Sequence, residues 1–247
     1  MFLRFFDYSI HFDSDDFGYL HQMKLKFYLI PGMGADHRLY SNYDLPGDIY
    51  LVKWVPPQSS KSLADYSRLI AQQISNDTHN VIVGSSMGGM LAVELSKHVP
   101  NVLVILLSAP TGRHQFPWFL KALSLTRIHR LIGQNTLMKC VSICDVFMGF
   151  KASDQRSLFY QMLHANGKEF LHFNVRAVLD WENTAAPVGD YIQIIGDKDF
   201  LFNVKKITGA IPLSGSGHFS TFEKSLEICT IIHEELEKRG LISKNVL

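Results

Sequence analysis

Apolar residues run along this chain in short blocks, and the way each block is bounded identifies the element it forms. From Lys24, KLKFYLIPGMG begins with alternation, becomes continuously apolar and stops at Pro31-Gly32, as a buried strand does on entering a turn. IYLVKWVPP reads as a second strand, ended by Pro56 and Pro57. A short helix or loop around Arg38 to Tyr43 lies between them. Over Ser62 to Ile74, the positions Leu63, Tyr66, Leu69, Ile70 and Ile74 fall near helical spacing behind a serine with Asp65 three residues on. That pattern predicts a capped amphipathic helix. NVIVG is then a buried strand, Met87 to His98 a helix and VLVILLSAP the next strand. Strand–helix alternation builds an α/β architecture, a mostly parallel central sheet with helices on both faces.

After Pro110 the pattern changes. Residues 112–185 carry helical periodicity and many aromatics, with no convincing strand before YIQIIGD at 191–197, so they are expected to form a helical cap inserted between two strands. A short strand near Ala210 to Leu213 and a final helix from near Thr221 to Lys238 complete the pattern. The expected organisation is a core of residues 23–111 and 186–247, the cap of 112–185, and an N-terminal extension of 1–22. That extension mixes aromatics with Asp7, Asp13, Asp15 and Asp16 and lacks a basic start followed by an apolar stretch, which is not the pattern of a signal peptide. It is either an added hairpin beside the sheet or a disordered lead before a natural beginning at Met23.

Composition narrows the partners. A chain of 247 residues, 47% hydrophobic and 19% charged, buries a large core. Its 24 basic and 23 acidic side chains leave a net charge of +1, so no global field recruits nucleic acid or anionic membrane. The expected partner is a small molecule. No apolar run reaches the ~20 residues of a membrane helix. Cys140, Cys144 and Cys229 are too few and too unevenly placed for a disulfide framework, which fits the cytoplasm. Cys140 and Cys144, four apart, lack the histidine or carboxylate partners of a metal site and read as small core residues.

Three segments carry candidate chemistry. Gly84-Ser85-Ser86-Met87-Gly88 matches G-x-S-x-G between an apolar strand and a helix. A strand that turns so sharply into a helix holds its serine in a strained conformation, and only small residues two positions away let the backbone pass. Ser85 is the rival nucleophile, but its flanking positions are Val83 and Met87, both too bulky. A phosphate-cradling loop is the bland alternative, and neither a G-K-[ST] ending nor G-x-G-x-x-G spacing is present. Gly196-Asp197-Lys198-Asp199 follows the strand YIQII, which sets a carboxylate at the carboxyl end of a parallel strand. Asp199 is the candidate acid; Asp197 competes, because a slip of one residue exchanges them, and either could be an ordinary solvated turn aspartate. Gly215-Ser216-Gly217-His218-Phe219 then sets His218 in a glycine-rich loop before the last helix, unlike His98, His129, His164 and His172 in helical stretches.

Through GSSMGG, IIGDKD, GSGHFS and LIPGMGAD, in that functional order Ser, Asp, His, residues 25–240 resemble the α/β-hydrolase superfamily. The resemblance implies a serine hydrolase in which Ser86 is the nucleophile, His218 the general base and Asp199 the acid that orients it, acting on a small carboxylic ester or related acyl substrate, with no metal or organic cofactor. In the superfamily the loop after the first long central strand usually reads His-Gly-x and donates an oxyanion-hole N–H. Here Pro31-Gly32-Met33 stands there, implying backbone donors at Met33 and Met87 and a loop whose usual histidine is Pro31. The same loop is also readable as a plain strand-ending turn. Asp36 and His37 either line the pocket mouth or cap a helix. Gly32, His37, Trp118, Phe119, Phe150, Phe200 and Phe219 are the candidate substrate-contacting residues, and Phe116, Phe147, Phe159 and Trp181 extend the aromatic set of the cap. Each aromatic is individually more at home as packing between cap and sheet. The same superfamily also holds lyases, cofactor-free peroxidases and non-catalytic ligand receptors, which stay open as alternatives.

Overall fold

A computed structural model describes residues 25–76, 79–133, 136, 148–150 and 152–243. The expectations for residues 1–22, Cys140, Cys144 and Phe147 lie outside the described residues. Six strands, β1 (Leu25–Ile30), β2 (Gly47–Leu51), β3 (Asn80–Ser85), β4 (Leu103–Leu107), β5 (Tyr191–Gly196) and β6 (Ile211–Leu213), form one sheet in the order β2-β1-β3-β4-β5-β6. Every neighbouring pair is parallel. The chain leaves β1 for β2 on one side and returns to β3 on the other, so the strand order reverses between β1 and β3. Open α/β sheets build their sites in the crevice outside the carboxyl ends of such strands.

The central strands are mostly apolar because both faces are covered. On one face Tyr28, Ile30, Ile82, Val104 and Leu106 meet α1 (Leu63–Ile70) and α2 (Met87–Leu95) in one buried cluster. On the other, Phe27, Leu29, Val81, Val83, Ile105 and Leu107 share a cluster with Ile228, Ile232 and Leu236 of the last helix. Helix α1 starts as the sequence predicts, with the Ser62 hydroxyl accepting the Asp65 N–H at 3.0 Å. It is shorter than expected, giving way to a 3-10 turn at Ala71–Gln73. The helix expected to run to His98 ends at Leu95, where the Ser96 hydroxyl donates back to the Val93 carbonyl at 2.8 Å.

Between β4 and β5 the described residues form α3 (Trp118–Thr126), α4 (Ser153–Ala165) and α5 (Lys168–Leu179), and no strand. Phe170 of α5 packs on Trp54 with ring centroids 5.3 Å apart, and Phe173 on Tyr66 at 5.1 Å. After α5, the Trp181 indole donates to the buried Glu94 carboxylate of α2 at 2.7 Å, and Lys97 donates to its other oxygen at 2.8 Å. From α4, Asn166 donates to the Ala35 carbonyl at 3.2 Å. These contacts fasten the helical segment to the loop that follows β1, to Trp54 after β2, and to α1 and α2. The terminal helix predicted from near Thr221 is broken at Lys224 into α6 (Ser220–Glu223) and α7 (Ser225–Lys238). No helix among the described residues is long and apolar enough to cross a membrane.

Candidate active site

Ser86 stands between β3 and α2 with φ 51° and ψ −116°, outside the regions that L residues favour. Such a conformation costs about 1–3 kcal/mol and persists only where the surroundings enforce it. They do so here through close approach. A Cβ on Gly84 would lie 2.4 Å from the Gly88 carbonyl oxygen, and one on Gly88 would lie 2.3 Å from the carbonyl oxygens of Ile30 and Pro31. The Ser86 N–H donates to Leu107 of β4 at 2.9 Å, and its carbonyl accepts from Gly89 and Met90 in the first turn of α2. The rival Ser85 is buried, its hydroxyl hydrogen-bonded to that of Thr221 at 2.8 Å. Ser86 is only part-buried.

The loop after β6 brings His218 to this serine. Its Nε2 lies 2.9 Å from the Ser86 hydroxyl and its Nδ1 lies 2.9 Å from Asp199 Oδ2. Asp199, in the turn after β5, is held in turn by the backbone N–H groups of Leu201 and Phe202, which donate to its Oδ1 at 2.8 and 3.0 Å. Both His218 and Asp199 are buried. Their two loops can meet because Gly196 has no side chain: a Cβ there would be 2.2 Å from the Ser216 carbonyl oxygen, to which Lys198 donates its N–H at 3.0 Å. Asp197 instead accepts the Ser216 N–H at 3.2 Å, and bonds from the Gly215 and Ser216 backbone hold its carboxyl below the usual range. Phe219 donates its N–H to Met148 at 2.9 Å, and its ring packs edge-on to Phe150 at 4.9 Å, so residues 148–150 press against the histidine loop.

The loop after β1 passes beside the serine. A Cβ on Gly32 would come within 3.3 Å of Ser86 Cβ. The turn is closed by Ala35 donating to the Gly32 carbonyl at 3.1 Å, and its flanks are tied by Tyr40, whose hydroxyl donates to the Ile30 carbonyl at 2.7 Å, and by the Trp54 indole on Ala35 at 3.1 Å. Burial pushes the Tyr40 phenol up from its ordinary value, which keeps it a donor. These groups support the loop where Pro31 stands in place of a histidine. The Met87 N–H, at the first position of α2, has no acceptor within its helix.

The expected substrate contacts scatter. Trp118 is 80% exposed and Phe200 71% exposed, so neither closes an apolar wall. Phe219 is buried in the sheet core, Phe150 packs on it, and Phe119 meets Trp118 edge-on at 6.2 Å. His37 is exposed, while Asp36 caps the 3-10 helix His37–Tyr40 by accepting the Arg38 N–H, the capping role and not a pocket contact. Sequence reasoning missed Phe202, whose ring lies 5.7 Å from that of His218.

Hydrogen bonds thus link Ser86, His218 and Asp199 in one line. A histidine so placed can take the hydroxyl proton as the oxygen attacks an electrophilic carbon, while the carboxylate holds the imidazole with its proton on Nδ1.

A family model described as Alpha/beta hydrolase family matches residues 14–228. Among solved structures, a hydrolase from Pseudomonas aeruginosa PA01 is similar over 86% of this chain and 90% of its own, with TM-score 0.64 and 16% identity. A thermophilic esterase from Thermogutta terrifontis covers 87% and 90% at TM-score 0.61 and 13% identity. YbtT, a type II thioesterase from the yersiniabactin NRPS/PKS biosynthetic pathway, covers 89% and 95% at TM-score 0.60 and 14% identity. No curated protein matches the sequence.

Proposed function

The chain belongs to the alpha/beta hydrolase family, and on that premise we propose that it is a serine hydrolase that cleaves a small carboxylic ester or related acyl substrate through an acyl-enzyme. The observation that carries this reading is His218 bridging Ser86 and Asp199 at 2.9 Å on both sides. Similarity to an esterase and a thioesterase supports acyl transfer as the reaction class.

In the first half-reaction Ser86 Oγ attacks the substrate carbonyl as His218 Nε2 takes its proton. The tetrahedral oxyanion faces the backbone N–H groups of Met33 and Met87. His218 returns the proton to the leaving alcohol or thiol, and the acyl group stays on Ser86. A water molecule, deprotonated by His218, then attacks the acyl carbonyl and frees the acid. Asp199 fixes the imidazole tautomer throughout. General-base transfer contributes about 10²–10⁴ in rate and each oxyanion donor about 2.7–4 kcal/mol.

Hydrolysis of nitrophenyl esters of increasing acyl length, by the parent protein and by Ser86→Ala, tests the reading. Turnover is expected in the parent and absent in the variant, with both folded to the same melting temperature. Equal turnover by Ser86→Ala would refute the assignment.

A further inference from the structure

The stretch at residues 148–150, between β4 and β5, takes no part in the proposed reaction, yet it lies on the two residues that flank His218. The Phe219 N–H donates to the Met148 carbonyl at 2.9 Å. A Cβ on Gly149 would come 3.2 Å from Gly217 Cα and 3.8 Å from the His218 nitrogen. One on Gly217 would come 3.2 Å from Gly149 Cα and 3.3 Å from the Met148 carbonyl oxygen. The two backbones thus meet glycine against glycine, too closely for a side chain on either to fit without a shift. Gly149 adopts φ 73°, a conformation open to glycine without steric cost. Phe150 completes the contact, its ring edge-on to Phe219 at 4.9 Å. Phe159 of α4 packs on both, 5.5 Å from Phe150 and 6.0 Å from Phe219.

Hydrogen bonds from the ends of the strands reach the same loop two residues away from His218 on either side. Asp197 accepts the Ser216 N–H at 3.2 Å, and the Ser108 and Ser220 hydroxyls bond at 3.0 Å. Gly217 and Phe219, which adjoin His218 directly, are the residues that the stretch 148–150 holds. We propose that residues 148–150 position His218 for catalysis, an inference that rests on the hydrolase reading above. They act through the backbone of the histidine loop and keep Nε2 at 2.9 Å from the Ser86 hydroxyl. A general base must lie within about 2.6–3.2 Å of the atom it deprotonates, and a misplacement of about 1 Å costs about 10² in rate. The glycine before His218 accordingly serves a close approach and not merely the freedom of a loop.

The test compares Gly149→Ala with Gly167→Ala, using the parent and Ser86→Ala as references, on one nitrophenyl ester. Gly167, at the start of α5, has φ 76° and nothing within 4 Å of its Cβ position, so the two alanines share the backbone strain and differ in the contact. Gly149→Ala forces a shift of a few tenths of an ångström between the stretch and the histidine loop, and should lower kcat by about three- to tenfold with KM unchanged. Gly167→Ala should melt lower than the parent and keep its kcat. Should Gly149→Ala be too unstable to assay, Phe150→Leu, which removes the edge-on ring and leaves the backbone unstrained, carries the same expectation. Parent kcat in the assayed variant, an effect confined to KM, or an equal fall in Gly167→Ala overturns the inference and leaves the hydrolase reading standing. Turnover that persists in Ser86→Ala sinks that reading and the inference with it, so the two failures are told apart.

Discussion

Replacing Asp199 by asparagine turns the geometry of the site into a sharp expectation. Asp199 Oδ1 accepts two backbone N–H groups, from Leu201 and Phe202, while Oδ2 faces His218 Nδ1 at 2.9 Å. An asparagine has one carbonyl oxygen, and it must stay on those two fixed donors. Turning its nitrogen toward them would set donor against donor and strand two N–H groups. The amide nitrogen therefore faces His218 and donates where a carboxylate oxygen accepted. The imidazole then carries its proton on Nε2, which no longer accepts the Ser86 hydroxyl proton. Packing and both backbone hydrogen bonds persist and the third is kept in reversed direction, so the melting temperature should change by no more than about 4 °C, the equivalent of about 1 kcal/mol in a domain of this size. Turnover should fall by about 10⁴, the loss that a wrong tautomer causes in a triad of otherwise intact geometry, or about 5.4 kcal/mol of barrier. Steady-state kinetics on a nitrophenyl ester, with melting followed by circular dichroism, reads both quantities. Asp197→Asn is the control: it sits in the same turn but bonds only to the backbone around Ser216, and turnover should be unchanged. An Asp199→Asn protein within about tenfold of the parent, or an equal loss in Asp197→Asn, would refute the reasoning.

Three further outcomes test the scaffold. Gly84→Ala puts a methyl group 2.4 Å from the Gly88 carbonyl oxygen, backbone that cannot step aside, and should cost at least about 1–3 kcal/mol by thermal melting; Gly133→Ala, whose methyl meets nothing within 4 Å, should not, and equal melting of the two would sink the steric account of the elbow. Trp181→Phe removes the indole donor from the buried Glu94 carboxylate and should cost about 1.5–3 kcal/mol in denaturant unfolding, whereas unchanged stability would mean that Glu94 does not depend on the indole. For Asp36, burial alone pushes the carboxyl up, but bonds from the Arg38 side chain and backbone outweigh it and hold the carboxyl below its usual value of 3.8. A depressed folded value stabilises above the unfolded one and is lost as pH falls through the folded value. Asp36→Asn should therefore lower the melting temperature at neutral pH, with the gap closing below pH 3.8; a gap that widens in acid contradicts the assignment.

Local rules made much of this protein readable from its residues. A strand block that ends at Pro31-Gly32, a serine cap before α1 and the G-x-S-x-G turn each express a constraint that spans a few neighbours, whereas the second strand stops at Leu51, well before Pro56-Pro57. The preference for Ser86 over Ser85 rests on such a constraint, because the close approach of Gly84 to Gly88 falls within five consecutive residues, although Gly88 also meets the Ile30 and Pro31 carbonyls. Element ends were less legible. The break at Lys224 and the early stop of α2 depend on contacts made by the flanking turns, and apolar periodicity runs through both.

The pocket was not legible in this way. Aromatic side chains mark burial without saying what covers them, so Trp118 and Phe200, expected at the substrate, are exposed, while Phe219 is core.

By itself, then, the sequence determined the alternation of strands and helices, the strained turn at Ser86 and the short list of aspartates and histidines at strand ends. Tertiary structure alone set Asp199, and not Asp197, against His218 and brought His218 to Ser86 across a separation of 132 residues. The reason is geometric: backbone sterics and periodicity act between neighbours in the chain, whereas the meeting of the three loops follows from the order in which parallel strands line up and from Gly196 letting one loop cross over another.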